Sequence, residues 1–201
     1  MGEVQGLFVH DTAMVDSSAK LGRGSQVWAH SHIREGVSVG NSVVIGERVY
    51  IGPQVSIGEN SKIQNGALIY DPAIIENGVF IGPGVTFTND KYPRAVNPDM
   101  SIKKQIDWET AAVIVRQGAS IGAGSICVAP IEIGCWAMVA AGSVVVSDVP
   151  DHALVAGVPA KFVKWIGKSG LPLQPIDGET FTCTVSGDKF FVDNTGRLRA
   201  R

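Results

Sequence analysis

The chain has 201 residues, 45% of them hydrophobic, and a formal net charge of −2. That length suits one sizeable domain with an appendage. The near-neutral charge gives no electrostatic case for nucleic acid or an anionic membrane surface as partner. Residues 1–20 carry polar and charged residues throughout and lack an apolar core stretch, no apolar run approaches a membrane span, and the three cysteines (Cys127, Cys135 and Cys183) form no C-x-x-C. The expectation is a cytoplasmic protein with no disulfide framework and no metal site.

From Val9 onward every sixth residue is apolar. Val9, Val15, Leu21, Val27, Ile33, Val39, Ile45, Ile51, Ile57, Ile63, Ile69, Ile75, Ile81 and Phe87 form one series, which resumes at Val115, Ile121, Cys127, Ile133, Val139 and Val145. Neither a helical period of 3.6 nor plain alternation produces this spacing, whereas a parallel β-helix of hexapeptides does. Each hexad supplies one short strand and one corner, so three hexads make an 18-residue coil, and the series predicts about seven coils over residues 8–150. A second inward slot follows four residues after each beat, filled by small or β-branched residues such as Ser25, Val43, Val49, Ser61 and Val85. Gly follows the beat at 22, 40, 46, 52, 58, 82, 122 and 134, which we read as relief for a bent backbone. Asn41, Asn60, Asn65 and Asn77 fall near corners too.

The beat breaks between Phe87 and Val115. Residues 88–114 are polar and contain Pro93 and Pro98, so the chain is expected to leave the prism there and return, and long loops on a rigid scaffold are where function concentrates. A solvated insertion without function is the plainer reading. Beyond Val145, Pro159 followed by Ala-Lys-Phe-Val-Lys-Trp-Ile reads as a short helix over Ala160–Ile166. Residues 151–201 form an extension, in which Phe181–Val185 and Lys189–Val192 read as a hairpin around Ser186-Gly187-Asp188.

The stretches VWAHSHI (27–33), KIQNG (62–66), GVFIGPGVTFTNDKYPR (78–94) and DHALVAGVPAK (151–161) make the chain resemble the hexapeptide-repeat acyltransferases. It looks most like the N-acetyltransferases that act on UDP-2-acetamido-3-amino-2,3-dideoxy-glucuronate in bacterial O-antigen sugar synthesis. The resemblance covers about residues 8–166. It implies a left-handed prism, acetyl-CoA as co-substrate, a UDP-linked amino sugar as acceptor, and a homotrimer with active sites between subunits. It further implies that Ala123, Ala141, Gly142 and Ser143 line the pantetheine, with Val158, Pro159 and Lys161 near the adenosine end.

Within that resemblance, Asn89 opens the loop, matches the family's Thr-Asn motif and is the residue expected to orient the amine. Asp71 lies one 18-residue coil below it, where a carboxylate can hold the amine or take its proton. Lys91 and Arg94 suit a uronate carboxylate or a diphosphate. Tyr70, Gln64, Asn65 and Glu76, together with His30 and His32, complete the expected sugar-nucleotide contacts, and alternation would put both histidines on one face. Many relatives use a loop histidine as base, but no histidine lies in 64–147, so direct attack by the amine with little side-chain base catalysis is expected. Competing readings are an acetyltransferase for another amino sugar, such as a dTDP-linked 3-amino hexose, a γ-type carbonic anhydrase needing three histidine ligands, and a non-catalytic scaffold.

Overall fold

The computed structural model describes residues 6–201. The chain winds into a parallel β-solenoid with three flat faces. The first face stacks two-residue strands from Phe8–Val9 through Gln26–Val27, Val44–Ile45, Lys62–Ile63, Phe80–Ile81, Ser120–Ile121 and Met138–Val139 to the longer Ala153–Gly157. The second runs from Met14–Val15 to Val144–Val145 in seven strands, and the third from Lys20–Leu21 to Ile131–Ile133 in six. Partners are one coil apart, as in Lys62↔Phe80 and Leu68↔Thr86. About eight turns result, at roughly 4.8 Å per turn.

The beat residues form the core. Ile33, Ile45, Ile51, Ile63, Ile69, Ile81, Phe87, Ile121, Cys127 and Ile133 are all 0% exposed. Val9, Val15 and Leu21 are not fully buried, because among the described residues the first coil has no neighbour beneath it. Serine in the second inward slot does more than save space. Ser31 Oγ donates to Gly46 O at 2.6 Å and accepts from Val49 N at 3.1 Å, and Ser25 and Ser61 bridge coils the same way. A buried hydroxyl is thereby satisfied and ties one coil to the next.

The glycines after the beat have a different cause from the one expected. Their φ is not positive. A Cβ on Gly22, Gly46 or Gly122 would instead lie 2.3 to 2.4 Å from an atom of the coil above. The left-handed backbone falls later in the corner, at Gly24, Gly36, Gly66, Gly84, Gly124 and Gly142, and also at His30, Ser42, Arg48 and Gln54. The corner asparagines are coil-to-coil acceptors: Asn41, Asn65 and Asn77 Oδ1 take Arg23, Glu47 and Glu59 N–H at 2.9, 3.0 and 2.8 Å.

At the top the expected helix over 160–166 is absent, and Ala160–Trp165 is instead a strand. It turns back at Gly157-Val158-Pro159 and pairs antiparallel with Ala153–Gly157. The physical reason is the open edge of the first face, whose unpaired backbone groups the strand satisfies, with Phe, Val and Trp favouring the extended form. The tail hairpin forms between Thr180–Thr182 and Lys189–Val192, joined by Gln174–Pro175 and Leu198–Ala200 into a four-stranded antiparallel sheet. Leu173, Cys183, Phe190 and Leu198 make its small core, and Trp165 packs against both this cluster and the prism. The sheet caps the solenoid end, as repeat folds require.

Candidate active site

The chain leaves the prism at the edge between the second and third faces. Thr86–Phe87 stands directly above Leu68–Ile69, so the loop that Asn89 opens departs from the same edge that carries Asp71. Thr88 Oγ accepts Ala129 N–H at 3.1 Å, and Ala111 N–H donates to Asn89 O at 2.9 Å, so the loop is pinned where it starts and where it ends. Val113 is already back in the core, which shortens the excursion to 88–112. Ile74 pairs with Ile114 rather than with residue 92, so this coil alone carries the inserted length.

The loop is itself folded. Val96 bridges Ile102 antiparallel, Lys103 N–H donates to Ala95 O at 3.1 Å, and Asn97 N–H donates to Ser101 O at 2.8 Å. Lys104 N–H and the Asn97 amide both donate to Asp107 Oδ2, which holds that carboxyl below the usual range. The returning limb brings Trp108 against two clefts. One, of about 460 Å3, is lined by Asp71, Trp108, Glu109 and Thr110. The other, of about 420 Å3, lies between the limbs and is lined by Asp90, Pro93, Arg94, Ala95, Lys103 and Trp108. Sequence reasoning missed Trp108, Glu109 and Lys103. The one available signal was a tryptophan placed in an otherwise polar stretch.

The expected residues divide into groups. Asn89, Asp71, Arg94 and Tyr70 share the loop edge or the second face beside it. Lys91 is exposed with its ammonium 5.9 Å from the Tyr92 ring centre and does not line the inter-limb cleft. Tyr70 lies 5.2 Å from Tyr50, and Tyr50 meets His32 edge-on at 5.7 Å, so an aromatic row runs down the second face below the loop. His30 does not join it. Its φ of 58° places it in the corner between the first and second faces, which breaks the alternation that would have paired it with His32.

Gln64 and Asn65 sit on that same first–second edge, and the Asn65 carboxamide is occupied by the Glu47 N–H. Glu76 is a correction too. It lies past the third face, where it accepts from Arg116 Nη1 at 2.8 Å and Gln117 N–H at 2.9 Å, while Arg116 Nη2 reaches Glu132 at 2.7 Å. This clamp ties together the coils on either side of the insertion, and it holds the Arg116 pKa up and that of Glu132 down. Neither Glu76 nor Arg116 faces the loop clefts.

The expected coenzyme residues gather on the edge between the first and second faces. Ala141 stacks on Gly122, and Gly142 N–H donates to Ala123 O at 2.8 Å. Ser143 is 1% exposed, and its hydroxyl accepts the Gly157 N–H at 3.2 Å, so it ties the edge to the hairpin and presents no side chain outward. Val158 (72% exposed), Pro159 and Lys161 project at the hairpin tip above it. A Cβ on Gly124 or Gly142 would meet nothing within 4 Å. The edge is therefore flat and nearly free of side chains, which fits a thin chain such as pantetheine, with a lysine at its end for phosphate. Among the described residues no group of three or more His, Cys, Asp or Glu is arranged to hold a metal.

The bacterial transferase hexapeptide (six repeats) matches residues 18–53 and 54–89. The chain carries the transferase hexapeptide repeat. Over 66 residues it is 48% identical to the dTDP-3-amino-3,6-dideoxy-α-D-galactopyranose 3-N-acetyltransferase of Aneurinibacillus thermoaerophilus, covering 33% of this chain and 34% of that one. Over 56 residues it is 46% identical to the 2,3,4,5-tetrahydropyridine-2,6-dicarboxylate N-acetyltransferase of Enterococcus faecalis, covering 28% and 24%. The chain thus spans about a third or less of the length of these relatives. In fold it is similar to the acetyltransferase domain of PglB from Neisseria gonorrhoeae, with a TM-score of 0.51 at 22% identity over 81% of this chain and 60% of that one. It is similar as well to a hexapeptide-repeat acetyltransferase of Vibrio cholerae solved with acetyl coenzyme A, with a TM-score of 0.50 at 19% identity over 82% and 73%.

Proposed function

We propose that the protein is an acetyl-CoA-dependent N-acetyltransferase that acetylates the 3-amino group of a UDP-linked 2-acetamido-3-amino-2,3-dideoxy-glucuronate. The observation that carries this reading is the loop edge, where a folded excursion leaves a rigid prism at Asn89, on the edge that carries Asp71, and encloses a cleft lined by Arg94. The relative that acts on a 3-amino sugar supports the amine position.

In this reading acetyl-CoA supplies the acetyl thioester along the Ala123–Ala141–Gly142 edge. The Asn89 carboxamide, both donor and acceptor, aims the sugar amine. The amine nitrogen forms the new bond to the acetyl carbon, the carbon–sulfur bond breaks, and the amine proton passes to the departing thiolate or through Asp71. None of the four histidines lines either loop cleft, so positioning supplies much of the rate. The coenzyme edge and the loop edge are different edges of one prism, with the second face between them. A homotrimer that places one copy's edge against another's loop would unite them, and we propose that assembly.

The second reading, a dTDP-linked neutral 3-amino hexose as acceptor, is favoured by the same relative. The two diverge at C6 of the acceptor. If a uronate is the acceptor, wild-type kcat/KM is higher for the uronate than for the matching neutral sugar. A higher value for the neutral sugar favours the second reading.

A further inference from the structure

Between the limbs of the loop, Arg94, Lys103 and Trp108 line a cleft of about 420 Å3. The cleft contains one acidic residue, Asp90, whose Oδ1 already accepts the Tyr92 N–H at 2.8 Å. Arg94 spends one N–H on the neighbouring Pro93 carbonyl at 3.0 Å, and neither Arg94 nor Lys103 takes part in an ion pair among the described residues. Two cations outside any ion pair, with Asp107 near enough to feel the Lys103 charge, line the cleft together with a tryptophan on a backbone fixed by the Ala95–Lys103 and Asn97–Ser101 hydrogen bonds, and form a receptor for a polyanion attached to a ring. The guanidinium offers paired donors to a phosphate, the ammonium adds a point charge, and the indole face stacks on a base.

We infer that this cleft binds the nucleoside diphosphate of the acceptor. Arg94 and Lys103 hold the diphosphate and Trp108 stacks on the base, so the loop reads the nucleotide while the prism edge at Asn89 and Asp71 handles the amine. This rests on the acetyltransferase reading above. The same chemistry occurs in the adenosine diphosphate portion of coenzyme A. The assignment to the acceptor follows from placement, because the coenzyme reading puts the adenosine end at the Val158–Lys161 hairpin tip, at the top of the stack, whereas the loop leaves the prism several strands lower.

The test is titration of the full chain with UDP, with 3′,5′-ADP and with acetyl-CoA, in the wild type and in Lys103→Ala, Lys103→Arg, Lys104→Ala and Trp108→Phe. Lys104 is exposed on the same limb but does not line the cleft, so Lys104→Ala removes an equal charge nearby. The expectation is that Lys103→Ala weakens UDP about ten-fold or more, that Lys103→Arg restores most of it, and that Lys104→Ala and all acetyl-CoA affinities stay at wild-type values. UDP should quench tryptophan emission in the wild type and not in Trp108→Phe. The assignment is overturned if wild-type protein ignores millimolar UDP, if Lys104→Ala weakens UDP as much as Lys103→Ala, or if 3′,5′-ADP and acetyl-CoA are the ligands weakened. Absence of acetyl-CoA binding to the wild type would instead remove the acetyltransferase reading itself.

Discussion

The Ala111 N–H donates to the carbonyl of Asn89 at 2.9 Å, so the long loop closes on the very residue proposed to orient the amine. That closure uses backbone atoms only, which leaves the Asn89 side chain separable from the fold. Asn89→Ala should keep the wild-type melting temperature within a degree or so and lower turnover about ten-fold or more, the effect of about 1.4 kcal/mol in the transition state. A thermal melt reads the first quantity and steady-state rates with acetyl-CoA and the amino sugar read the second. A wild-type rate would remove Asn89 from the site.

Glycines of the two kinds should respond differently to a methyl group. In Gly122→Ala the added Cβ would fall 2.4 Å from Ala141 N, a backbone atom that cannot swing away. The expected cost is about 2–3 kcal/mol or more, seen by denaturant unfolding. Gly124→Ala meets nothing within 4 Å but has a φ of +67°, so its cost should be about 1–2 kcal/mol.

Arg116 tests the clamp across the insertion. Its partners are Glu76 at 2.8 Å and Glu132 at 2.7 Å, all three side chains about a third or more exposed. Solvent screening keeps the contribution near 1 kcal/mol or below. The Glu132 carboxyl is held below its ordinary range, first by the Arg116 hydrogen bond. A depressed carboxylate contributes stability above its unfolded pKa and loses it as pH falls through the folded pKa. Arg116→Met should therefore melt a few degrees below wild type at pH 7, with the gap closing in acid below the carboxylate range. A gap that persisted at low pH would rule out the ionic origin.

His152 lies between the prism and the cap sheet, its ring 5.1 Å from Phe190 and its Nδ1 3.0 Å from Ile166 O. Burial pushes its pKa down, opposed by that carbonyl and by Asp151, while Lys168 adds to the depression. The unfolded chain then takes up a proton near the ordinary value of about 6.5, before the folded one does. Stability should fall as pH drops through that value, and His152→Gln should flatten the slope of melting temperature against pH between neutral and mildly acid conditions. An unchanged slope in the variant would place the titration elsewhere.

Much of the fold was legible because the inward residue of each hexad cannot be polar without cost, so the beat is written at Ile33, Ile51, Ile69 and their neighbours. The last turn was not, because its spacing contracts. Ile133 bridges Val149 and Val139 pairs with Val155, sixteen residues on, with Asp148 and Asp151 accepting Glu132 and Cys135 N–H at 2.8 and 2.7 Å. The strand Ala160–Trp165 was read as a helix because Pro159 mimics a helix start, whereas the unpaired edge of the first face decides the outcome. At the site, the coil length set Asp71 and the start of the loop on one edge, and the strands just before them do pair in that register, Ile69 with Phe87. Asn65 and Glu76 looked like ligand contacts because a side chain that bridges two coils carries the same polar signature as one that faces a ligand. Trp108 escaped notice because the fold of an excursion depends on its own hydrogen bonds, and these leave no period to read.

The most direct measurement is acetyl-CoA-dependent thiol release by the purified chain with UDP-2-acetamido-3-amino-2,3-dideoxy-glucuronate, set against the matching neutral 3-amino sugar. The account predicts thiol release with the uronate, about ten-fold or more faster in kcat/KM than with the neutral sugar. Thiol release no faster than buffer with both sugars would contradict it.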